Sequence, residues 1–400
     1  MEEKHIYDLN LLYESYLASM KGSAWKAEPQ RFHLDFLSEI VQLKHELETR
    51  TYKTSPGTEF ILNERGKIRH IHGARMRDRV VRHALCDGFL SDALDPYLIY
   101  NNGASQKGKG ISFSRKMFER DLHNYWLKNR TNEGYICFID YSKFYDNIVH
   151  ETAKEMIFTK ISEEAQWLTG EIIDTFTVDV SYMDDEEYEK CMDKCFSSVE
   201  YYETVSNEDK TGEKFMHKSV EIGDQLSQNI GIFYPTPVDN YAKIVLGCKY
   251  YGRYMDDMYI IHDDLEELKA MITGIQDVAS AYGLFINSKK TKIYKLSDTF
   301  KYLQTKYTLS ETGKVIKRIN PKSLARERRR IKAYKHLMDE GKMSYEDIEM
   351  AVKSWMGNYV KLMSKKQIKH MKSLYMELFG KELKWKQKSS SRTARKSRRK

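Results

Sequence analysis

Proline is scarce, six residues in 400, which excludes long Pro-rich linkers. The five cysteines, Cys86, Cys137, Cys191, Cys195 and Cys248, are odd in number and too widely spread for a disulfide framework. Cys191 and Cys195 fall four apart on an expected helix, but no second pair and no suitably spaced histidine joins them, which argues against a zinc site. A reducing, cytoplasmic compartment is the simplest expectation. No apolar run approaches membrane-spanning length, and Met1-Glu2-Glu3-Lys4-His5 lacks signal-peptide character, so no membrane is expected as a partner. The Gly- and Lys-rich stretch Asn101–Gly110 lacks the Gly-Lys-Ser/Thr ending of a Walker loop. It reads either as a loop that meets a phosphate backbone or as a plain surface turn. A His-Asn-His nuclease pattern is absent as well.

What the chain has in plenty is tyrosine: 28 rings of a kind that stacks on bases and sugars. Its net charge of +8 is unevenly placed. Arg326-Glu327-Arg328-Arg329-Arg330 and the run Arg392–Lys400 crowd the C-terminal fifth, which fits a polyphosphate partner. A long acidic stretch, about 178–220, includes Glu200, Glu203, Glu208 and Asp209 and is expected to face away from nucleic acid or to bind a protein.

The tetrapeptide Tyr-Met-Asp-Asp occurs twice, at Tyr182–Asp185 and Tyr254–Asp257. The second copy is flanked on both sides by aromatic and aliphatic residues, from Tyr250 to His262, so two short strands and a tight turn are expected. The first continues into Glu186-Glu187-Tyr188-Glu189-Lys190, a polar helix start where acidic residues favour the positive dipole end. Only the second copy is expected to do chemistry.

Two adjacent carboxylates on a turn repel each other and ask for a cation. A two-metal phosphoryl-transfer site needs a further carboxylate from another strand. The run Tyr135-Ile136-Cys137-Phe138-Ile139-Asp140 supplies one, ending a strand in aspartate. Taken alone, Asp140 reads equally as a strand-end cap. Asp146, six residues on, is assigned to the following turn.

Phe138-Ile139-Asp140-Tyr141-Ser142-Lys143-Phe144-Tyr145-Asp146 resembles the first palm motif of prokaryotic reverse transcriptases, and Tyr254–Asp257 resembles their second aspartate-bearing motif. Gly66–Ile71 followed by Arg77–Val81 looks like the fingers. Ile222-Gly223-Asp224-Gln225-Leu226-Ser227-Gln228 is similar to the motif between the aspartate strands, and Gly283–Thr291 to the motif after them. Phe300-Lys301-Tyr302-Leu303 resembles the primer grip. The likeness runs from about residue 50 to 310, with the motifs in the family's order.

The resemblance implies an α+β, right-hand polymerase fold with fingers, an antiparallel palm and a helical thumb. The expected divisions are an N-terminal helical extension at 1–50, fingers at 51–130, palm at 131–310, thumb at 311–385 and a basic disordered tail at 386–400. Residues 7–50 are read as two helices, and 320–380 as a helical bundle interrupted at Gly341.

The implied reaction is RNA-directed DNA synthesis: addition of deoxynucleotides to a primer 3′ end. Asp140, Asp256 and Asp257 are implied to hold two Mg²⁺ ions, or Mn²⁺, with Tyr141 among the metal-binding residues. Tyr145 is implied to lie beneath the incoming sugar and to exclude a 2′-hydroxyl; on position alone a core aromatic is the alternative. Lys67 and Arg69 are implied as triphosphate contacts. Arg75, Arg77 and Arg79 read either way, as further contacts or as a solvated or structural face around Asp78. Ser227 and Gln228 are implied to approach the template base, and Lys290 or Lys289 to protonate pyrophosphate; a surface lysine is the plainer reading.

Two departures stand out. His72-Gly73-Ala74 follows the fingers strand where many relatives carry proline, and Gln228 follows Ser227 where many carry proline. The Ser-Gln pattern resembles diversity-generating retroelements, whose role implies a template RNA and a small basic accessory protein. An antiphage-defence enzyme, using a dedicated noncoding RNA or protein priming, is the alternative. A non-catalytic RNA-binding scaffold is the competing class. Either enzymatic reading implies an RNA template, a DNA or RNA primer and dNTPs as partners.

Overall fold

Residues Thr58–Glu64 (β1) and Lys67–Gly73 (β2) pair antiparallel, with Leu62 opposite Arg69. Gly66 turns the chain between them at φ +79°, left-handed backbone that costs glycine little. The computed structural model describes residues 5–64 and 66–384; the tail expected at 386–400 lies outside the described residues. The chain divides into two compact units: Met1–Lys128 with Glu133–Lys295, and Asn129–Asn132 with Leu296–Lys400.

The first unit opens with three helices, Leu9–Met20, Ala27–Leu34 and Phe36–Glu48, not two. The apolar spacing Phe32, Phe36, Ile40, Leu43, Leu47 runs unbroken through the joint, which hid the break at Asp35. These helices are tied to the helix Met76–Leu85. Arg79 donates to the Ser19 carbonyl, Arg77 pairs with Glu46, and the Met76 N–H reaches Glu28. Arg75 Nε donates to the Pro56 carbonyl, and buried Asp78 accepts from the Tyr52 hydroxyl at 2.7 Å. The basic stretch around Asp78 is thus built into the scaffold.

The centre of the unit is a four-stranded antiparallel sheet. Tyr135–Asp140 is β3, and Val178–Asp179 (β4) pairs separately with Phe215–Met216 (β5). Tyr250–Tyr254 (β6), Asp257–His262 (β7) and Lys292–Lys295 (β8) complete the sheet, in the order β6-β7-β3-β8. Phe138 and Tyr259 lie opposite each other in register and share one face with Phe118 of the helix Ile111–Asn129. Cys137, Ile139, Met258 and Ile260 fill the other face and join the main core, to which the helix Leu265–Ala281 contributes Leu268 and Ile275. Helices on both faces explain why these strands read as nearly continuous apolar runs.

The β4–β5 clasp encloses the expected acidic stretch around a small core of its own, Val180, Met183 and Phe196. Its helix Asp185–Asp193 stops before Cys195, so Cys191 and Cys195 do not share a helix as expected. The first Tyr-Met-Asp-Asp copy stands at the start of that helix. Asp184 is its N-cap and accepts from the Glu187 N–H at 2.8 Å.

In the second unit, Phe300–Tyr302 (β9), Thr305–Leu309 (β10) and Val315–Ile319 (β11) form a three-stranded sheet. The helices Pro321–Asp339, Tyr345–Tyr359 and Lys365–Phe379 follow and bury Ile331, Ile348, Val352, Met356 and Tyr375. Gly341 breaks the helical run at φ +71°. Among the described residues no helix is long and apolar enough to cross a membrane.

Candidate active site

Strands β6 and β7 pair with Tyr254 opposite Asp257, leaving Met255 and Asp256 as a two-residue turn. Met255 takes φ +57°, the positive value that the favoured hairpin turns place at their first central position. A side chain there is strained, so neighbours must hold it. Arg253 is one of them. It is wholly buried, its Nη1 donates to the Met255 carbonyl at 3.1 Å, and its Nη2 to the Ile232 carbonyl at 2.7 Å. Asp239 neutralises it through Nε, at 3.0 Å to each oxygen, and through Nη2 at 2.6 Å; Tyr251 Oη adds a hydrogen bond to Asp239 at 2.6 Å.

Asp140 ends β3 directly opposite Asp257 of β7. Like charges in that register repel each other, so the pair favours a cation. The segment after Asp140 is fixed by the Gly283–Thr291 loop: the Asn287 N–H donates to the Asp140 carbonyl at 2.8 Å, and the Ser142 N–H to the Phe285 carbonyl. The Asn287 side chain caps the turn by accepting from the Lys290 N–H at 3.2 Å. That turn brings Lys290 Nζ to 2.6 Å from Asp140 Oδ1.

Tyr141, expected at the metal, turns its ring inward. It is 1% exposed, stacks on Phe144, and its hydroxyl points to Met258 Sδ. Burial pushes its pKa up, so the phenol stays neutral. Only its main-chain carbonyl is left to serve a cation. Asp146 lies in the turn Tyr145–Asn147 and accepts from the Ser198 hydroxyl at 2.8 Å and the Ser198 N–H.

The helix Gln225–Phe233 is capped by Asp224, which accepts from the Leu226 and Ser227 N–H groups. Buried Arg82 holds this cap by pairing with Asp224 at 2.7 Å and Glu221 at 2.9 Å. Tyr145 meets the helix and the hairpin together, its hydroxyl 3.5 Å from Met255 Sδ. Burial, then the nearby Asp256 charge, raise the Tyr145 pKa; Arg69 opposes them.

The other expected contacts divide. Arg69 is half-exposed on β2, 3.8 Å from Glu64. Lys67 opens β2, but its side chain lies outside the described residues. Gln228 is exposed, meets Ser105 at 3.2 Å and lines a cavity of about 760 Å³ with Arg75, Arg79, His72 and Ile71. Ser227 is 0% exposed, on the inward side of its helix, and so does not reach the surface where a template base was expected.

In the second unit Phe300 and Tyr302 are buried by strand alternation, and Lys301 points out. Their rings cannot grip a primer in this arrangement. The surface instead offers the turn at Leu303 and Gln304, at φ +42° and +67°. Lys109 of the Gly- and Lys-rich loop folds back on its own chain, donating to the Tyr100 and Asn102 carbonyls.

Sequence reasoning missed Arg82, Arg253 and Asp239. Nothing in a charged residue's type shows that it will be buried. A weak signal was available at Arg253, which alternation places on the same side as the apolar Tyr251.

Among the described residues, no three His, Cys, Asp or Glu side chains form a ready-made metal cluster. Mg²⁺ takes hard oxygen ligands, one or two carboxylates together with substrate phosphates and water. The hard oxygen donors of Asp140, Asp256 and Asp257 suit such an ion. The family model for reverse transcriptase (RNA-dependent DNA polymerase) matches residues 61–307, more than half of the chain. A comparison with curated proteins gave no match.

Proposed function

The chain belongs to the reverse transcriptases and is an RNA-directed DNA polymerase, a nucleotidyltransferase with the α+β right-hand fold of that family; on that premise we propose that Asp140, Asp256 and Asp257 form its catalytic centre. The cross-strand opposition of Asp140 and Asp257, beside the turn that carries Asp256, is the observation that supports this reading most. These carboxylates would hold two Mg²⁺ ions, which when bound activate the primer 3′-hydroxyl and steady the leaving pyrophosphate.

The protein's own part is positioning and charge. The primer oxygen bonds to the α-phosphorus of the dNTP as the bond to pyrophosphate breaks. Arg69, with Lys67, neutralises the triphosphate. Tyr145 underlies the sugar, and its 3.5 Å contact with Met255 Sδ sets the ring against the catalytic turn. Lys290, already at Asp140, is placed to give a proton to the departing pyrophosphate. Gln228 faces the template side. In this reading β1–β2 and the helix Met76–Leu85 are fingers, the four-stranded sheet is palm, and the helices after Pro321 are thumb.

Within the family, the pattern Ile222–Gln228 supports a diversity-generating role, with a template RNA and an accessory protein as further partners in a reducing cytoplasm. A paired template and variable repeat beside the gene is the expected accompaniment; a dedicated noncoding RNA instead would place the enzyme in antiphage defence.

Purified protein with primed poly(rA), dTTP and Mg²⁺ is expected to extend the primer, and Asp256→Asn to abolish extension. Equal activity in the variant would move the centre elsewhere. A wild type inactive even with its co-purified RNA would support the scaffold reading.

A further inference from the structure

Gly231 lies in the last turn of the helix Gln225–Phe233, buried, with right-handed backbone. Gly231 has no left-handed φ and is not the C-cap, which is Tyr234, and alanine is the better helix former. The reason is on the other side of the residue. A Cβ at Gly231 would meet Met255 Sδ at 3.1 Å, Tyr145 Oη at 3.3 Å and Phe144 Cε1 at 3.4 Å. All three contacts are tighter than, or at the lower limit of, ordinary packing. Methionine can swing its thioether aside. Tyr145 cannot yield as easily. Its main-chain carbonyl accepts from the Val220 N–H at 3.0 Å, and its ring packs edge-on to Phe144 at 5.4 Å.

We propose that Gly231 is a specificity-determining position: the missing side chain is the seat of the Tyr145 hydroxyl, and it fixes where that ring stands beneath the incoming sugar. The inference rests on the reading of Tyr145 as the sugar-contacting residue. Gly231 touches neither substrate nor metal and acts through Tyr145. A methyl group at 231 displaces the hydroxyl from its seat by a few tenths of an ångström. A phenylalanine at 145 has no hydroxyl to displace, so the two positions are coupled through one oxygen atom.

The experiment is a four-member cycle: wild type, Gly231→Ala, Tyr145→Phe and the double variant. Each is measured for dTTP kcat/KM, for dNTP over rNTP preference and for thermal midpoint. Gly231→Ala is expected to lower kcat/KM about 3- to 10-fold, a fraction of what a full ångström of misplacement costs. It should alter sugar preference. In the Tyr145→Phe background the same substitution is expected to change kcat/KM by less than about twofold. Wild-type behaviour of Gly231→Ala, or an equal loss in both backgrounds, would overturn the proposal. A lowered midpoint with a loss that persists in the double variant would overturn it too, as plain misfolding. Tyr145→Ala tests the underlying reading separately. If it leaves dNTP preference intact, the sugar role of Tyr145 fails, while the coupling of 231 and 145 is still decided by kcat/KM in the cycle.

Discussion

Arg253 stands three residues before Asp256 with a fully buried side chain, so its charge must be neutralised on the spot, and Asp239, equally buried, does this. What the guanidinium has left over goes to two carbonyls, Met255 in the β6–β7 turn and Ile232 in the helix Gln225–Phe233. Charge and position can be separated by mutation. Arg253→Met leaves Asp239 uncompensated and is expected to cost about 3–5 kcal/mol in urea denaturation. Adding Asp239→Leu removes both charges and is expected to restore most of that stability. Primer extension should stay low in the double variant, because the Met255 and Ile232 carbonyls have lost their shared donor. Activity returning together with stability would reduce Arg253 to a space-filling ion pair.

Among the elements, the segment that returns from the acidic stretch clamps the chain just beyond Tyr145. Val220 donates to the Tyr145 carbonyl, Ser219 to Ile148, and His150 to His217, all through main-chain N–H groups. The His150 ring closes this clamp: it is 2% exposed, and Nε2 donates to the Ser219 carbonyl at 2.6 Å. Its Nδ1 is buried without a hydrogen-bond partner among the described residues, so a second proton would find no acceptor. Burial accordingly pulls the His150 pKa down from 6.5 to about 4. The unfolded chain takes up that proton first as pH falls. Stability is therefore complete above about pH 6.5 and declines towards pH 4, by on the order of 3 kcal/mol. His150→Gln keeps a donor for Ser219 and is expected to flatten that decline in urea midpoints; an unchanged slope would assign it to other groups. Elements such as these differ in how legible they were. The Tyr250–His262 hairpin and the strand ending at Asp140 were readable because apolar runs on both sides of a carboxylate leave few alternatives. The Ile148–His150 clamp was not, since it depends on pairing across some 70 residues and on short polar segments with no periodicity. The inward turn of Ser227, Phe300 and Tyr302 was likewise hidden, because a motif gives residue types in order and not the face each one occupies.

For the whole molecule, net charge is a property of one end. Residues 386–400 hold eight Lys and Arg and no Asp or Glu, as much as the entire net charge of +8, so the remaining 385 residues are formally neutral. A neutral body has no long-range pull on a polyanion. Its hold on RNA must come from contacts placed by the fold, offset elsewhere by the acidic stretch. The terminal run would then supply most of the non-specific attraction. Each phosphate it neutralises steepens the salt dependence of binding to single-stranded RNA by about 0.7 in log–log slope. If half of the eight cations engage, deleting residues 386–400 is expected to lower the slope by roughly 3. Extension of a saturating primer–template should persist, because the carboxylates, Tyr145 and Arg69 are untouched. Filter binding on a single-stranded RNA across a salt series, alongside primer extension, checks both. A slope that does not move would mean that the terminal run meets no phosphate. The neutral body would then carry RNA binding alone, through contacts placed by the fold and not by net charge.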